Sequence, residues 1–485
     1  QLFAEIDHHV NYGVHIYGRC GEVKFRQASW LYHPDTVLRS LVHDRSGPEP
    51  GLKDPDGHWD VRPHRNRVVE VDADVLQTWH DVLETLDVSV AQTRMLYTLN
   101  RAVAQVLTTL GKRARVEDLG LEFSLGWNET RDRRVGLFVR NWGKPASWND
   151  VILQGPHFFV ATPFFKSPNP TMQHNQDWSP TDFETLASDA IPITAYKPAG
   201  NLDDYDTKYT HWGTDDNPIP ARDHYRLAWR RMAANTGERT LISALIPPGA
   251  AHVHPVSSFG AIGTGGTTEL VTLAAVTAAL ISDFSVRAAP KSEVLPGTLR
   301  RLAIDMDFVL SPELRLRLLR LSCVTDAYAD LWNACRASLP GTDDWTGCAR
   351  YTGRVPLAHQ ERWSAEVPLR RAAERRQALV EIDALVALML GVTADELCTT
   401  YRTQFPVLYG YDRKRDHYDA NGRLVPNEVL VRWRSRGDRL TEAERTATHP
   451  AGTTYTYELP FRILDREHDM RVAYAEFERR LRERS

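Results

Sequence analysis

Apolar residues recur along this chain with two periods, and the points where one period replaces the other predict where strands give way to helices. Residues 10–17 and 23–30 alternate apolar and polar side chains on either side of the turn at Gly18 and Gly21, a hairpin signal over residues 1–32. Residues 44–66 are dense in Pro, Gly and Asp and predict an ordered loop. From 74 to 110 the positions Val75, Leu76, Trp79, Val82, Leu83 and Leu86, then Met95, Leu96, Leu99, Val103, Val106, Leu107 and Leu110, return at helical spacing. Two consecutive helices are expected there, with Gly111 as the stop. Short apolar runs at 135–139, 151–153 and 158–162, separated by turn residues, predict a β-rich segment over 120–165.

Periodicity is lost over 166–220, where Pro, Asp and aromatic residues crowd together; an irregular packed loop region crossed by one short helix near 181–188 is expected. Residues 223–234 predict a helix, 240–246 a strand, 260–266 a Gly-rich turn and 268–284 an Ala-rich helix. Two strong 3.6-residue patterns follow at 313–338 and 365–390, the second with Leu379, Ile382, Leu385, Val386 and Met389 in one stripe that needs packing partners. No repeat period and no low-complexity tract interrupts the pattern. The fold class expected is α+β, with a helical final third.

Length and composition narrow this picture. A chain of 485 residues implies two to four domains, and 42% hydrophobic with 25% charged residues is ordinary for a soluble globular protein. The first residue is Gln, and the opening segment reads as the middle of a folded region, so an N-terminal part is expected upstream. A net charge of −4 gives no global pull toward nucleic acid but leaves room for a local basic wall. Five cysteines, at 20, 323, 335, 348 and 398, contain no CxxC pair and read as reduced thiols of a cytoplasmic protein. The longest apolar run, around 270–281, is too short to span a bilayer, and no membrane partner is expected.

Candidate chemistry is sparse. The run G-A-I-G-T-G-G at 260–266 matches a nucleotide loop only superficially, because residues 256–259 make a poor buried strand and no acidic residue follows about 20 positions on. Close backbone packing explains such glycines as well. Among the histidines, His8 and His9 diverge on a strand, and His252 and His254 share a face of an extended segment without a Cys or carboxylate at ligand spacing; no metal is expected.

The basic residues say more. Arg131, Arg133 and Arg134 precede the apolar run at 135, and Arg222, Arg226, Arg230, Arg231 and Arg239 cluster in the next predicted helix and strand. On a helix, Arg222, Arg226 and Arg230 share one face. That face is either solvated and paired with nearby carboxylates or a ridge that tracks phosphates. Trp142, Trp148, Trp178, Tyr196, Tyr209, Trp212, Tyr225 and Trp229 lie between these charges as packing or stacking groups.

Several ordered segments together resemble one family. These are SWNDVILQGPHFFVATPFFKSPN at 147–169, DWSPTDFETLASDAIPITAY at 177–196, ERTLISALIPPGAAHVH at 238–254 and LAAVTAALISDFSVR at 273–287. The tail adds ERRQALVEIDALVALMLGVTADELCTTYRTQFPVL at 374–408, YDANGRLVP at 418–426 and DREHDMRVAYAEFERRL at 465–481. They resemble the C-terminal part of large adenine-specific DNA methyltransferases of the type IIG restriction-modification kind and of the DISARM and BREX phage-defence systems, the DISARM-type methylase most of all. The resemblance implies that residues 1–40 close the sheet of an upstream Rossmann-like methyltransferase domain. It further implies a linker and helical pair at 41–120, a mixed α/β target-recognition domain at 121–300 and a helical spacer at 301–485. S-adenosylmethionine would be bound by the upstream domain, not by this chain alone. The Asn-Pro-Pro-Tyr-type motif of amino-methylating enzymes is missing: Ser167-Pro168-Asn169-Pro170 and Asp216-Asn217-Pro218-Ile219 lack the doubled Pro and the aromatic residue, so no catalytic residue carries over.

What the resemblance implies for this chain is binding of double-stranded DNA, by residues that grip phosphates and read base edges. The expected contacts are Arg131, Arg133, Arg134, Lys166, Gln173, His174, Asn175, Lys197, Lys208, Arg222, Arg226 and Arg230, with Gln176 and Asn201 nearby and Asp203, Asp204, Asp206, Asp215 and Asp216 opposing them. Two other readings stay open. The helical final third could dock other phage-defence subunits, making the chain a scaffold, or carboxylates and histidines in 200–260 could form an independent metal-dependent nuclease.

Overall fold

A computed structural model describes residues 13–18, 21–84, 87–172, 174, 177–214, 216–260, 266–289, 291–346 and 357–484. At its centre four strands form an antiparallel sheet in the order Ser243–Ile246, Arg226–Arg230, Val256–Gly260 and Glu122–Ser124. The helix expected over 223–234 is therefore a strand. Leu227, Ala228 and Trp229 are all wholly buried, so both faces of this segment are covered and its consecutive apolar residues suit a central strand. Its registers are Leu227↔Leu245 on one side and Leu227↔Phe259 on the other. The Trp229 indole packs 4.9 Å from Phe259 and donates from Nε1 to the Val294 carbonyl at 2.8 Å. Residues 256–259 prove to be a buried strand as well, because Ser258 Oγ has the buried His252 Nε2 as its partner at 2.8 Å.

A layer of helices covers this sheet. Gly266–Ala278 packs on the strands Ser243–Ile246 and Arg226–Arg230, and its outer face packs on Ser311–Ser322 and Ala372–Leu390. The single helix expected over 268–284 is two, bent by 65°. Ala279 takes an extended conformation, and the freed N–H of Leu280 donates to the Asp383 carboxylate at 2.8 Å, so a side chain from another helix starts the second piece, Leu280–Arg287. Within that piece Asp283 accepts from the Thr240 and Leu241 amides and from Arg239 and Arg287, which joins the bend to the entry of the sheet. No single helix among the described residues is long and apolar enough to cross a membrane.

The helix Ala372–Leu390 has buried residues on every side rather than one stripe, and its charges are paired across the layer. Glu381 meets Arg317 at 2.8 Å, Arg376 meets Asp469 at 2.6 Å, and Arg466 bridges Asp412 at 2.6 Å and Asp383 at 3.6 Å. The helix expected over 313–338 breaks after Ser322; Trp363 Nε1 donates to the Cys323 carbonyl, and the Asp326 amide turns to Ser188. No helix forms at 181–188, since side chains pin that segment to distant parts of the chain: Tyr455 to Asp182 and Arg423 to Glu184. The short helix of this region is Leu202–Lys208 instead.

At the N-terminal end, the strand Phe25–Ala28 pairs with Val68–Val71 rather than with an adjoining hairpin arm. Residues 13–18 of that arm are not in a strand, and residues 1–12 lie outside the described residues. The loop over 44–66 and the helices Ala73–Leu83 and Arg101–Gly111 form as expected, but Met95, Leu96 and Leu99 lie in the connection between them. One apolar core runs from Val71 to Phe477 and so crosses the boundaries expected near 120 and 300. Two smaller clusters flank it, one around Trp127, Phe138, Tyr205 and Trp212 and one around Val429, Tyr457 and Phe461.

Candidate nucleic-acid interface

The arginines that the sequence places on one helix face are instead internal clamps. Arg222 is buried, donates to the Asn149 and Gly249 carbonyls at 2.9 and 3.0 Å, and pairs with Asp206 at 2.6 Å. Arg226 is wholly buried, with His224 O, Ala250 O and Tyr209 Oη as its acceptors. Half-buried Arg230 donates to the Gly155 and Phe158 carbonyls, and burial lowers its pKa to about 10, which leaves it charged at neutral pH. Arg222 lies in the short turn Ala221–Asp223 ahead of the strand, and Arg226 and Arg230 share a strand face that is covered, so the three forks hold loops to the sheet. Arg231 pairs with Glu293 at 2.9 Å and with His254, and Arg239 pairs with Asp283 at 2.6 Å.

Exposed cations collect elsewhere, on the helical turn Arg131–Arg134 and the strand Phe138–Gly143 that follows it. Phe138 is wholly buried in the smaller cluster beside Trp127 and meets Tyr196 edge-on at 5.3 Å, which fixes the start of the strand. Beyond it, residues 139–142 are exposed. The strand pairs antiparallel with Thr194–Pro198, with Val139↔Lys197 and Arg140↔Tyr196 in register and a shift between Arg140 and Gly143. Arg131 is paired with Asp132 at 2.8 Å. Arg133, Arg134 and Lys144 make no ion pair among the described residues, and all three are exposed. Arg140 is exposed and donates to the Met172 carbonyl at 3.0 Å. Between 129 and 144 only Glu129 and Asp132 oppose these five cations.

The remaining expected contacts divide. Lys197 is spent on the ribbon itself: its ammonium donates to Thr194 Oγ1 at 2.7 Å and Gly143 O at 2.8 Å, and burial lowers its pKa. Lys166 is half-buried, 5.4 Å over the Phe165 ring, on the neighbouring strand Lys166–Pro168. Lys208 is exposed at the end of an acidic helix, 4.0 Å from Asp204. Asn201 caps that helix by accepting from the Asp203 amide at 2.9 Å. His174 is exposed, while Gln173, Asn175 and Gln176 lie outside the described residues. Sequence reasoning missed Arg140 and Lys144, although their interleaving with exposed Val139, Asn141 and Trp142 is visible in the chain as a strand with no apolar alternation.

Of the Gly-rich run, only Gly260 and Gly266 lie among the described residues. The succession of buried strand, glycines and helix is present, but the sheet around it is antiparallel, unlike the parallel unit of a dinucleotide fold. A Cβ on Gly260 would fall inside the Trp212 ring, so close packing accounts for this glycine; residues 261–265 lie outside the described residues. No group of three or more His, Cys, Asp or Glu side chains among the described residues is placed to hold a metal ion. A cavity of about 400 Å³ lies at the start of the last helix, lined by Tyr401, Arg402, Asp412, Arg413, Arg466 and Glu467 among others. In its lining Arg402 pairs with Glu467 at 2.9 Å and Arg466 with Asp412 at 2.6 Å, while Arg413 donates to the Tyr409 hydroxyl at 2.6 Å. No protein-family model matches the sequence, and no curated protein matches it.

Proposed function

We propose that this chain is the DNA-recognition and spacer portion of a site-specific adenine DNA methyltransferase in bacterial phage defence or restriction-modification, with S-adenosylmethionine held by a domain upstream. The observation that carries the reading is the ribbon edge: exposed Arg131, Arg133, Arg134, Arg140 and Lys144 sit together on a protein of net charge −4, four of them without an ion pair among the described residues. Most other arginines of the fold are turned inward or matched by carboxylates, so this edge is where a polyanion gains counterion release without breaking the fold. The resemblance of the segments at 147–169, 238–254 and 374–408 to target-recognition and spacer regions supports the same reading.

Binding to a duplex of about 30 base pairs, measured by anisotropy over a salt series, tests it. The logarithm of affinity should fall linearly with the logarithm of salt concentration. The double substitution Arg133→Glu, Arg134→Glu should lower that slope by about 2, near one unit for each phosphate that is no longer neutralised. A wild-type slope near zero, or a slope that the double substitution leaves unchanged, overturns the assignment of this edge.

A further inference from the structure

We infer that Trp142 is a wedge that stacks on a base at a step of duplex DNA opened by this chain, an inference that rests on the DNA-binding reading above. The strand Phe138–Gly143 starts as an ordinary ribbon and then departs from it. Pairing with Thr194–Pro198 shifts register between Arg140 and Gly143, and Gly143 adopts φ of +140°, a conformation that favours glycine. A register shift of this kind leaves residues unpaired and re-aims their side chains. The residues inside it are Asn141 and Trp142, both exposed, and the Trp142 side chain lies in the open at 40% exposure.

An exposed indole could be a packing leftover, but this one is held. Its Nε1 donates to the Pro168 carbonyl at 2.8 Å, which fixes the ring against the neighbouring strand and leaves part of its apolar surface open. Arg140, two residues earlier, is fixed in the same way on the Met172 carbonyl at 3.0 Å. A ring ordered before binding loses little rotamer freedom when it meets a base. Around it the surface is cationic, with Arg133, Arg134 and Lys144 available to phosphates, and Val139 adds a second exposed apolar group at 43%. A single aromatic group within a basic edge is the arrangement that proteins use to pry apart a base step while gripping the backbone on either side. A protein-docking face would instead need a contiguous apolar patch, and here the apolar groups are separated by charges.

The test uses the whole chain with duplexes of mixed sequence, each carrying 2-aminopurine at one adenine position in turn. Binding of the wild-type chain should raise 2-aminopurine fluorescence at one or more positions. Trp142→Ala should bind on the order of tenfold more weakly and show no rise at saturation, whereas Trp142→Phe, which keeps a ring, should retain the rise. The thermal midpoints of both variants should stay close to wild type, since the side chain lies largely outside the core. A wild-type chain that binds without any rise, or Trp142→Ala with an undiminished rise, overturns the wedge and leaves the DNA-binding reading standing. Failure of the wild-type chain to bind duplex DNA, including the case in which it binds only single-stranded RNA, overturns the reading and the wedge together.

Discussion

Two buried histidines show how single residues set the acid limit of this fold. His252 and His157 are both inside the protein, and burial pushes the first down to about 3 and the second to about 4, from an ordinary 6.5. Each is held neutral by its surroundings: His252 Nε2 lies 2.8 Å from Ser258 Oγ, and His157 Nε2 lies 2.9 Å from the Ile193 carbonyl. The unfolded chain takes up their protons below about pH 6.5, whereas the folded chain does so only near 4 and 3. Their contribution is therefore full above about 6.5 and is lost as pH falls, at up to about 1.4 kcal/mol per pH unit for each. Chemical denaturation of wild type and His157→Gln between about pH 7 and 4.5 should show the wild-type stability falling more steeply, because Gln does not titrate. Parallel profiles would contradict this. At the same scale the buried arginines explain a misreading, since composition does not show that a guanidinium such as Arg226 donates to carbonyls rather than facing phosphate. The clue was present only as the apolar neighbours Leu227, Ala228 and Trp229.

Among the elements, the strand Val256–Gly260 and the helix that follows it repay comparison with their sequence. The glycine at 260 was readable as a site of close packing, and the reason is the Trp212 ring lying where its Cβ would stand. Gly260→Ala should cost about 1–3 kcal/mol by overpacking, because the ring belongs to a buried cluster and has little room to retreat. Thermal unfolding checks it, and an unchanged midpoint would mean that Trp212 moves aside freely. Helices with long regular patterns, such as Ala73–Leu83, Arg101–Gly111 and Ala372–Leu390, were legible because their spacing is local. Other elements were decided by distant partners. The strand Phe25–Ala28 found Val68–Val71, and the segment expected as a helix at 181–188 is anchored by Arg423 and Tyr455, more than 200 residues away in sequence. The turn Arg131–Arg134 could be read from a run of charges, but the exposure of Trp142 goes with a register shift that no periodicity announces.

For the molecule as a whole, the boundary expected near residue 300 separates sequence patterns but not packing. The helix Gly266–Ala278 has the sheet on one side and the helices Ser311–Ser322 and Ala372–Leu390 on the other, and Leu280 is capped by Asp383. A chain ending near residue 300 should expose that helix and lose cooperative unfolding and near-ultraviolet circular dichroism. A truncated chain that melts cooperatively with native-like spectra would contradict the shared core. The smaller cluster has a different consequence. Trp127, Phe138, Tyr205, Tyr209, Trp212 and Ala221 supply most of it, while Ala251 and Val253 are its contribution from further along the chain. Chimeras that exchange this cluster between proteins would therefore be spliced near residues 127 and 221, with the donor graft matched to the host at 251 and 253, and not at the boundary expected near residue 300.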